Sequence, residues 1–407
     1  MNDPVDIAII GAGAAGLMAA IYAGRTNPDR RIVALDSAKK LGAKILISGG
    51  GRCNVTHDIV DESTYAGSSR HAIRKVLRRF DASQTVEFFL ELGVALKRED
   101  TGKLFPVSDS ARAVLDALLG AARDTGVELA HPYRVEAVER HGDGFLIRGG
   151  GDLIARKVIL ATGGRSIPKS GSDGHGYRIA QSLGHTLTPR LFQALVPLTL
   201  PRDHFIGGLA GVTLQTRLDL RTATGKIIQS FTDSTLCAHF GLTGPSVLDM
   251  SRYFLAAQAD DPSVTLTINW LPEIADDQLD ADLRTLGRKT VGGYLSTLLP
   301  ERLARALCDA AGIEAGTPGD RLARESRHAL VSAITQLPLP ITGSRGYDYA
   351  EVTAGGVPLS EIHLETMESR VCPGLYLIGE ICDVDGRIGG YNFQWAWASG
   401  YVAGTGV

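Results

Sequence analysis

Residues 5–36 read VDIAIIGAGAAGLMAAIYAGRTNPDRRIVALD, and this stretch decides the fold. Its first run, Val5–Ile10, is short and continuously apolar, which is typical of a strand buried on both faces in a parallel sheet. A glycine-rich turn follows, then the helical segment LMAAIYAGR, then a second apolar run, RIVAL, ending at Asp36. The order strand, glycine turn, helix, strand and acid predicts a Rossmann-type α/β domain.

The turn GAGAAG has the glycine spacing of a dinucleotide-binding loop. Gly11 allows the tight turn, and Gly13 leaves room for backbone N–H groups to reach a pyrophosphate. Gly16 lets the following helix pack closely on the strand. Ala14 and Ala15 open that helix, whose positive N-terminus faces the anion. The turn therefore predicts a phosphate-binding site.

The second predicted strand ends at Asp36, with Ser37 directly after it. Asp36 lies 20 residues past Gly16, the usual distance for accepting hydrogen bonds from the ribose hydroxyls of an adenine dinucleotide. A carboxylate here disfavours NADP in this site, because a 2′-phosphate would meet a negative charge. We expect Asp36 and Ser37 to contact the adenosine half of the cofactor.

Residues 41–54, LGAKILISGGGRCN, favour FAD over NAD as that cofactor. A nicotinamide dehydrogenase would continue with alternating strands and helices, whereas this chain places three glycines beside basic and polar residues. Such a loop can lay its backbone against a large flat ligand and bring cations near its phosphates. A plain glycine hinge is the alternative. The candidate cofactor-binding residues here are Lys44, Gly49, Gly50, Arg52, Cys53 and Asn54.

Two later segments are expected to return to the cofactor. The segment 131–138, HPYRVEAV, has strand character, and the backbone near Val135 could pair with an adenine edge. The apolar run VILA at 158–161 ends in a glycine turn of the kind that approaches FAD. The candidate residues at this turn are Ala161, Thr162, Gly163 and Gly164.

The C-terminal segment is predicted to complete the site. The run GLYLI at 374–378 reads as a strand that ends in an acid, and acids there can accept from ribityl hydroxyls. A glycine pair then precedes the helical segment FQWAWASGYVAG, with Asn392 as the expected N-cap. That helix would direct its positive end at the flavin. The candidate residues are Gly379, Glu380, Asp385, Gly389, Gly390, Tyr391 and Asn392.

Several motifs together resemble one bacterial flavoprotein family. They are GGGRCN, ATGG at 161–164, VTAGGV at 352–357 and GLYLIGEICDVDGRIGGYNFQWAWASG at 374–400. The chain is similar over its whole length to the family called HI0933-like or BaiN-like, which is also known as an aminoacetone-oxidase family. The resemblance implies an FAD domain, a β-rich inserted domain and a small helical part. It implies several activities: reduction of C=C bonds in steroid-like enones or ribosomal uridine, and oxidation of an aminoketone.

Changes in residue pattern along the chain predict where those parts begin and end. We expect a discontinuous Rossmann-type FAD domain formed by residues 1–190 and 340–407. Short β-branched runs between glycines and prolines predict a barrel-like β insert at 191–273, and helical patterns predict a helical subdomain at 274–339. No second GxGxxG follows, so NAD(P)H would bind only transiently.

Composition excludes several classes of protein. The 407 residues carry a net charge of −3, so no global charge calls for nucleic acid or an anionic membrane. The five cysteines are scattered, without CxxC or metal-ligand spacing, which favours a reduced cytoplasmic protein without a metal or disulfide relay. The apolar stretch 7–24 holds three spaced glycines near its start and is read as the cofactor turn, not a membrane span. The oligomeric state stays open.

The expected function is oxidoreduction with non-covalent FAD, most simply NAD(P)H-linked reduction of a C=C bond in a small molecule. Such a reaction needs an acid opposite the hydride donor, and the candidates are His239 in a glycine-flanked loop and Tyr391 at the flavin edge. A structural histidine and a packed tyrosine are the alternative readings. An aminoketone oxidase and a non-catalytic flavin-binding redox sensor are the alternative functions.

Although the net charge of the chain is small, one predicted helix carries a cluster of basic residues. We call it the basic stripe, and its members are Arg70, His71, Arg74, Lys75, Arg78 and Arg79. The residues recur on adjoining rows of a helix. The stripe is read either as a solvated face or as a phosphate site for NADPH or RNA.

Overall fold

The computed structural model describes residues 4–407, and within them the chain forms two compact units. The first unit contains the chain up to Gln193 together with Ala350–Val407, and the second is Ala194–Tyr349. The first unit is therefore discontinuous in sequence, and its hydrophobic core contains both Val5 and Val407. The predicted division into parts bounded at 190, 273 and 339 stays a prediction.

Within residues 4–407 the secondary structure consists of mostly short strands and helices. The strands are β1 Val5–Ile10, β2 Ile32–Leu35, β3 Thr56–His57, β4 Tyr65–Gly67, β5 Leu96–Arg98, β6 Lys103–Pro106, β7 Glu128–Ala130, β8 Val135–His141, β9 Gly144–Gly149, β10 Leu153–Leu160, β11 Phe192–Ala194, β12 Leu198–Thr199, β13 Thr213–Arg221, β14 Ile227–Ala238, β15 Gly241–Thr243, β16 Thr265–Asn269, β17 Leu337–Leu339, β18 Gly343–Ser344, β19 Val352–Ala354, β20 Ile362–His363, β21 Glu368–Ser369, β22 Leu375–Leu377 and β23 Val384–Gly386. The α-helices are α1 Ala14–Thr26, α2 Ala43–Ile47, α3 Arg70–Leu77, α4 Ala82–Glu91, α5 Ala111–Asp124, α6 His175–Ser182, α7 Pro245–Asp260, α8 Asp276–Arg284, α9 Val291–Leu295, α10 Glu301–Ala310, α11 Arg324–Thr335 and α12 Tyr391–Gly406.

A parallel sheet forms the centre of the first unit, in the order β22-β10-β1-β2-β7. Ile7, Ala8 and Ile9 on β1 have no exposed surface, as expected for a strand covered on both faces. Because these strands pair in parallel, the turns at the carboxyl ends of β1, β2, β10 and β22 lie along one edge of the sheet. This confirms the Rossmann-type fold predicted from residues 5–36.

The last helix, α12, packs directly on the first, α1. Two glycines make this contact possible, since a Cβ on Gly400 would lie 2.7 Å from the Ala15 carbonyl oxygen and one on Gly404 the same distance from that of Ala19. Small residues at such spacing let two helix backbones approach closely. The C-terminal helix is thereby fixed beside the helix that follows the glycine turn.

The second unit contains a seven-stranded antiparallel sheet in the order β17-β16-β13-β14-β15-β12-β18. Its helices α7 to α11 share one hydrophobic core with the sheet, with Trp270 among the fully buried side chains. Helices α8 to α11 lie within residues 274–339, where the sequence predicts helices, whereas α7 lies within the segment predicted as a β insert.

Membrane-spanning helices are not found in the part of the chain that the structure describes. No helix within residues 4–407 combines the length and the hydropathy that a bilayer crossing requires.

Candidate cofactor site

The glycine turn after β1 has the geometry that the sequence predicts. Gly11 has a φ of +101°, and a Cβ there would meet the Ala161 carbonyl oxygen at 2.4 Å. A Cβ on Gly16 would lie 1.8 Å from the Gly11 carbonyl oxygen, so neither position tolerates a side chain. Gly13 differs, because nothing lies within 4 Å of its Cβ position. The turn is therefore tightly packed at Gly11 and Gly16 but open at Gly13, which is the N-cap of α1.

Asp36 is held at the end of β2 by two backbone donors. The Ala12 N–H donates to Asp36 Oδ2 (2.8 Å) and the Ala38 N–H donates to Oδ1 (2.8 Å). Each carboxylate oxygen has further lone pairs for ligand hydroxyls. The hydroxyl of Ser37 lies 3.6 Å from the Cβ position of Gly171. The second strand therefore brings its acid to the glycine turn, as the spacing predicts.

The segment after α2 forms a turn rich in left-handed backbone. Gly49 and Gly50 have φ values of +54° and +68°, and a Cβ on Gly50 would meet nothing within 4 Å. Beyond the turn, Asn54 is 9% exposed, and its Oδ1 has no hydrogen-bond partner within residues 4–407. A buried acceptor without a partner is costly. An N–H or O–H of a bound molecule would satisfy it.

The turn after β10 contains a second atom of this kind. Thr162 Oγ1 is buried and lacks a partner among the described residues, although the turn touches the first glycine loop through Gly11 and Ala161. Gly163 adopts a φ of +71°. The open position at Gly13 and the two unsatisfied polar atoms fit a large polar ligand such as FAD.

Lys44 and Glu380 meet behind this turn. The Lys44 ammonium donates to Glu380 Oε2 at 2.7 Å, with side-chain exposures of 27% and 17%. Ser166 bridges the two, since its hydroxyl lies 2.7 Å from Lys44 Nζ and donates to Glu380 Oε1 at 2.8 Å. The Thr353 N–H also donates to Oε1 (2.9 Å). A Cβ on Gly164 would lie 2.6 Å from Oε1, which places the network against the turn.

The network involves residues that the sequence reading missed. Ser166, Ser172 and Thr353 were not singled out, although Ser172 Oγ lies 3.2 Å from Lys44 Nζ. Their proximity to ATGG and VTAGGV was the available signal. Lys44 was expected to reach the cofactor phosphates, whereas the structure turns its ammonium to Glu380.

Arg52 also has protein partners. It donates to Glu99 Oε1 at 2.6 Å, and its guanidinium carbon lies 4.0 Å from the centre of the Phe105 ring. Asp109 lies 3.6 Å from the same nitrogen. Two acids and a ring thus hold Arg52 in place beside the glycine-rich turn.

Cys53 lies in the core and not at a reactive surface. It has no exposed surface, and burial raises the pKa of its thiol to about 12. The other four cysteines are buried as well. A thiol must ionise to act as a nucleophile, so the Cys53 thiol is not a reactive group in the folded protein.

We expect none of the five cysteines to react with a thiol reagent at pH 8 while the protein is folded. Burial keeps Cys53 and Cys382 protonated and covered. Colorimetric thiol titration with and without denaturant measures this, with five thiols per chain expected after unfolding. Rapid modification of one thiol in the native protein, lost in Cys53→Ser, would contradict the assignment.

The C-terminal segment wraps around the same edge of the sheet. Trp395 Nε1 donates to the Gly379 carbonyl (3.0 Å), and the Gly379 N–H donates to Ser399 Oγ (3.0 Å). A Cβ on Gly379 would lie 2.9 Å from that of Ala15. Asp385, 4% exposed, lies on β23, which pairs with β4. These contacts place Gly379 against the start of α1.

Gly389 and Gly390 have left-handed φ values of +126° and +95°, and α12 begins immediately after them. The expectation that Asn392 caps this helix is wrong, because the N-cap is Gly390. Asn392 instead lies inside the first turn, where its Oδ1 accepts from the Gly386 N–H (2.8 Å) and its Nδ2 donates to the Gly386 carbonyl (2.9 Å). Its side chain thus fixes the loop before the helix.

Replacing Asn392 with Ala is expected to lower the free energy of unfolding by about 1–2 kcal/mol, because two partly buried hydrogen bonds are lost. Flavin retention should weaken with it, since the loop at Gly386 leads into Gly389 and Gly390. Urea unfolding and cofactor titration measure the two effects. Asn392→Asp is the matched variant: it keeps one acceptor, and an intermediate loss is expected. An Asn392→Ala protein as stable as the parent would contradict this role.

Tyr391 is 6% exposed and held from two sides. The His57 ring stacks on it at 4.9 Å between centroids, and Tyr65 Oη donates to the Tyr391 carbonyl at 2.8 Å.

Two other predicted site residues lie elsewhere in the fold. Val135, at the start of β8, is buried and paired with Gly149. His239 belongs to the second unit, where it is exposed in the turn between β14 and β15.

Two members of the basic stripe form ion pairs with acidic side chains, which reduces the charge repulsion along the stripe. Arg74 donates to Glu62 Oε1 at 2.7 Å, and Lys75 pairs with Glu365. Arg70, Arg78 and Arg79 are exposed. Glu62 precedes α3 and Glu365 lies far along the chain, so helical spacing alone does not pair these acids with the stripe.

The parallel sheet, the glycine turn and the acid at the end of β2 define a dinucleotide-binding Rossmann protein, and the comparisons specify its class. The chain is a flavoprotein oxidoreductase with an FAD-binding Rossmann-type domain. It belongs to the family described as HI0933-like protein Rossmann domain, whose model matches residues 5–406, as the sequence motifs indicated.

Two relatives match nearly the whole chain. The 3-dehydro-bile acid delta(4,6)-reductase of Clostridium scindens is 37% identical, covering 98% of both chains. The ribosomal RNA dihydrouridine synthase of Escherichia coli is 35% identical, covering 98% of this chain and 96% of that protein.

Solved structures share the fold at low sequence identity. The 3-ketosteroid delta1-dehydrogenase of Sterolibacterium denitrificans covers 99% of both chains at 13% identity, with a TM-score of 0.52. The quinol fumarate reductase of E. coli covers 99% of this chain and 69% of its own at 15% identity, with a TM-score of 0.53.

Proposed function

We propose that this protein uses FAD and NAD(P)H to reduce a C=C bond conjugated to a carbonyl group. The observation that carries the proposal is the full-length similarity to two enzymes with different substrates. Both names describe addition of hydrogen across a C=C bond. The glycine turn, the position of Asp36 and the unsatisfied oxygens of Asn54 and Thr162 support the same chemistry here.

The residues around the glycine turn would hold FAD non-covalently. Gly13 and the N-terminus of α1 suit the pyrophosphate, and Asp36 suits the adenosine ribose. Asn54 and Thr162 would gain partners for their unsatisfied oxygens. The N-terminus of α12 would stabilise negative charge on the flavin. The remaining proposed contacts are Gly11, Ala14, Ala15, Gly16, Ser37, Lys44, Gly49, Gly50, Arg52, Cys53, Val135, Ala161, Gly163, Gly164, Gly379, Glu380, Asp385, Gly389, Gly390, Tyr391 and Asn392.

The bound flavin would supply the hydride, and the protein would supply a proton. His239 and Tyr391 are the proposed donors. His57 fixes the Tyr391 ring by stacking, and His239 is exposed at a turn where a substrate can reach it. Which of the two acts is decided by comparing His239→Gln and Tyr391→Phe.

The exposed members of the basic stripe, Arg70, Arg78 and Arg79, are the proposed contact for the phosphates of NADPH. Their positive charge and exposure support this. The name of the E. coli relative makes RNA an alternative occupant. Replacing Arg78 and Arg79 by Gln should weaken use of NADPH at low salt, with the loss shrinking as salt rises.

The test is anaerobic mixing of the yellow protein with NADH or NADPH. Bleaching of the flavin absorbance identifies the reductant, and its return on adding an oxidant identifies the acceptor. The acceptor arms are a conjugated steroid ketone and a uridine-containing ribosomal RNA fragment. In a separate donor arm, the oxidised protein is mixed anaerobically with aminoacetone, and air is then admitted. Reoxidation by either of the first two supports the proposal. Reduction of the flavin by aminoacetone, with oxygen as sole acceptor, would make it an oxidase, and inertness towards every donor and acceptor would indicate a non-catalytic flavin sensor.

A further inference from the structure

Two segments of the second unit meet beside His239. His239 and Phe240 form the two-residue turn between β14 and β15, since Ala238 pairs with Gly241. Strand β12 lies between β15 and β18, so residues following β18 come near this turn. The Arg345 N–H donates to the Pro197 carbonyl at 3.1 Å, which anchors the second segment.

Phe240, Arg345 and Tyr349 form what we call the aromatic clamp. The Arg345 guanidinium carbon lies 3.5 Å from the centre of the Tyr349 ring and 4.4 Å from that of Phe240. Contacts of this kind fix a guanidinium by cation–π attraction. Tyr349 is nevertheless 50% exposed, which is high for an aromatic ring that serves only packing. The clamp is thus ordered yet open to a ligand.

Arg345 lacks the acid that the more buried arginines of this unit have. Arg345 is half-buried as a residue, and within residues 4–407 no carboxylate lies at ion-pair distance from its guanidinium. Arg221 and Arg327, by contrast, pair with Asp219 and Asp280. A partly desolvated cation without an acceptor is unfavourable. Its planar N–H groups are therefore suited to an oxygen acceptor supplied by a ligand.

We infer that the aromatic clamp is the substrate-binding surface of the second unit, and that it binds a planar ring bearing a conjugated carbonyl. The inference rests on the proposed function and names its specificity-determining residues. The ring would stack on the exposed aromatic surface, and the carbonyl oxygen would accept from Arg345. His239 is the neighbour of Phe240 in the same turn, so a proton donor accompanies the clamp.

The arrangement suits reduction of an enone. If bound flavin supplied a hydride to the β carbon of such a substrate, the C=C electron pair would shift and negative charge would develop on the carbonyl oxygen. Arg345 stabilises that charge by hydrogen bonding. A proton from His239 then forms the C–H bond at the α carbon and restores the carbonyl, so one hydride and one proton are consumed per bond reduced.

The test is calorimetric binding to the oxidised holoprotein without NAD(P)H, so no turnover is needed. The probes are 1,4-androstadiene-3,17-dione and free uridine, which share a conjugated carbonyl and distinguish a steroid from a nucleoside site. Arg345→Gln should weaken binding of the preferred probe by about ten-fold or more, as expected for a charge-assisted hydrogen bond. Tyr349→Ala should weaken it by about five-fold, and Tyr349→Phe should bind like the parent because the ring is retained.

Arg324→Gln is the matched control, since Arg324 is exposed in the same unit and its variant should bind like the parent. FAD content and the thermal midpoint check that each variant is folded. Unchanged affinity in both Arg345→Gln and Tyr349→Ala would overturn the inference, as would a parent that binds neither probe. Should Arg345→Gln fail to fold, comparison of Tyr349→Ala with Tyr349→Phe decides alone. The parent protein could bind a probe through the clamp and yet show no NAD(P)H-driven reduction of that probe. This result would preserve the inference about the clamp and reject the proposed function.

Discussion

Gly13→Glu is expected to yield a folded but colourless protein. A side chain at Gly13 meets nothing within 4 Å, so the apoprotein can accommodate it. A carboxylate at the N-terminus of α1 interacts favourably with the helix dipole, and apoprotein stability should not fall. The same carboxylate would occupy the phosphate position and repel a pyrophosphate. FAD retention should therefore be lost completely, as measured by flavin absorbance per mole of protein.

Two further glycine variants make this result specific. Gly120 lies on α5 and also has no neighbour within 4 Å of its Cβ position, so Gly120→Glu should stay yellow. Gly16→Ala should lose both fold and flavin, because its Cβ would lie 1.8 Å from the Gly11 carbonyl oxygen. A yellow Gly13→Glu protein with one FAD per chain would remove the glycine turn from the cofactor site.

The first βαβ unit could be predicted because its determinants are local. The apolar run of β1, the glycines at 11, 13 and 16 and the acid at the end of β2 all lie within residues 5–36, and each is required by backbone geometry or burial. The observed Gly11 φ of +101° and the hydrogen bonds to Asp36 are the direct consequences. Spacing alone therefore located the glycine turn that is proposed to bind phosphate.

Pairing between distant segments could not be predicted in this way. Lys44 and Glu380 are 336 residues apart, and each alone reads as a charged residue near a glycine turn. Arg52 was likewise expected to face phosphates, yet Glu99 and Phe105 hold it. Charge and spacing predict which residues lie near an edge of the sheet. They do not predict which partner each side chain contacts, because tertiary packing determines that.

The start of α12 shows a similar limit. Asparagine is a common N-cap, and Asn392 precedes an apolar helical run, so the local pattern favours it. The helix starts earlier because Gly389 and Gly390 take left-handed backbone and α12 is anchored deeper in the core. Gln394, for example, accepts from Thr56 (2.6 Å) and Thr85 (2.8 Å) while fully buried. Tertiary hydrogen bonds override the local capping preference.

The Lys44–Glu380 pair leads to the second large expected effect. Lys44→Met would leave the Glu380 carboxylate uncompensated beside the turn proposed to bind FAD. Since the side chains are 27% and 17% exposed, water screens the pair in part, and a loss of about 2 kcal/mol in unfolding free energy is expected, between surface and fully buried pairs. Urea unfolding of the apoprotein measures it, and Lys39→Met, at an exposed lysine, is the matched control.

Flavin affinity should respond unequally to the two single substitutions. Lys44→Met leaves a negative charge near an anionic cofactor and should weaken FAD binding by more than about ten-fold, with the loss reduced by salt. Glu380→Gln leaves a positive charge, which the phosphates tolerate, so the loss should be smaller. A purely structural role would weaken binding equally in both variants and independently of salt.

A protein with both substitutions distinguishes the effect of unpaired charge from the effect of the altered side-chain shapes. With Lys44→Met and Glu380→Gln combined, no uncompensated charge remains, while Ser166 and the Thr353 N–H can still hydrogen-bond to the amide oxygen. The double variant should therefore be more stable than the sum of the single losses implies, with a coupling energy of about 1–2 kcal/mol. It should also bind FAD more tightly than Lys44→Met alone. Strictly additive losses would show that the two side chains act independently, and that the ion pair does not shape the cofactor site.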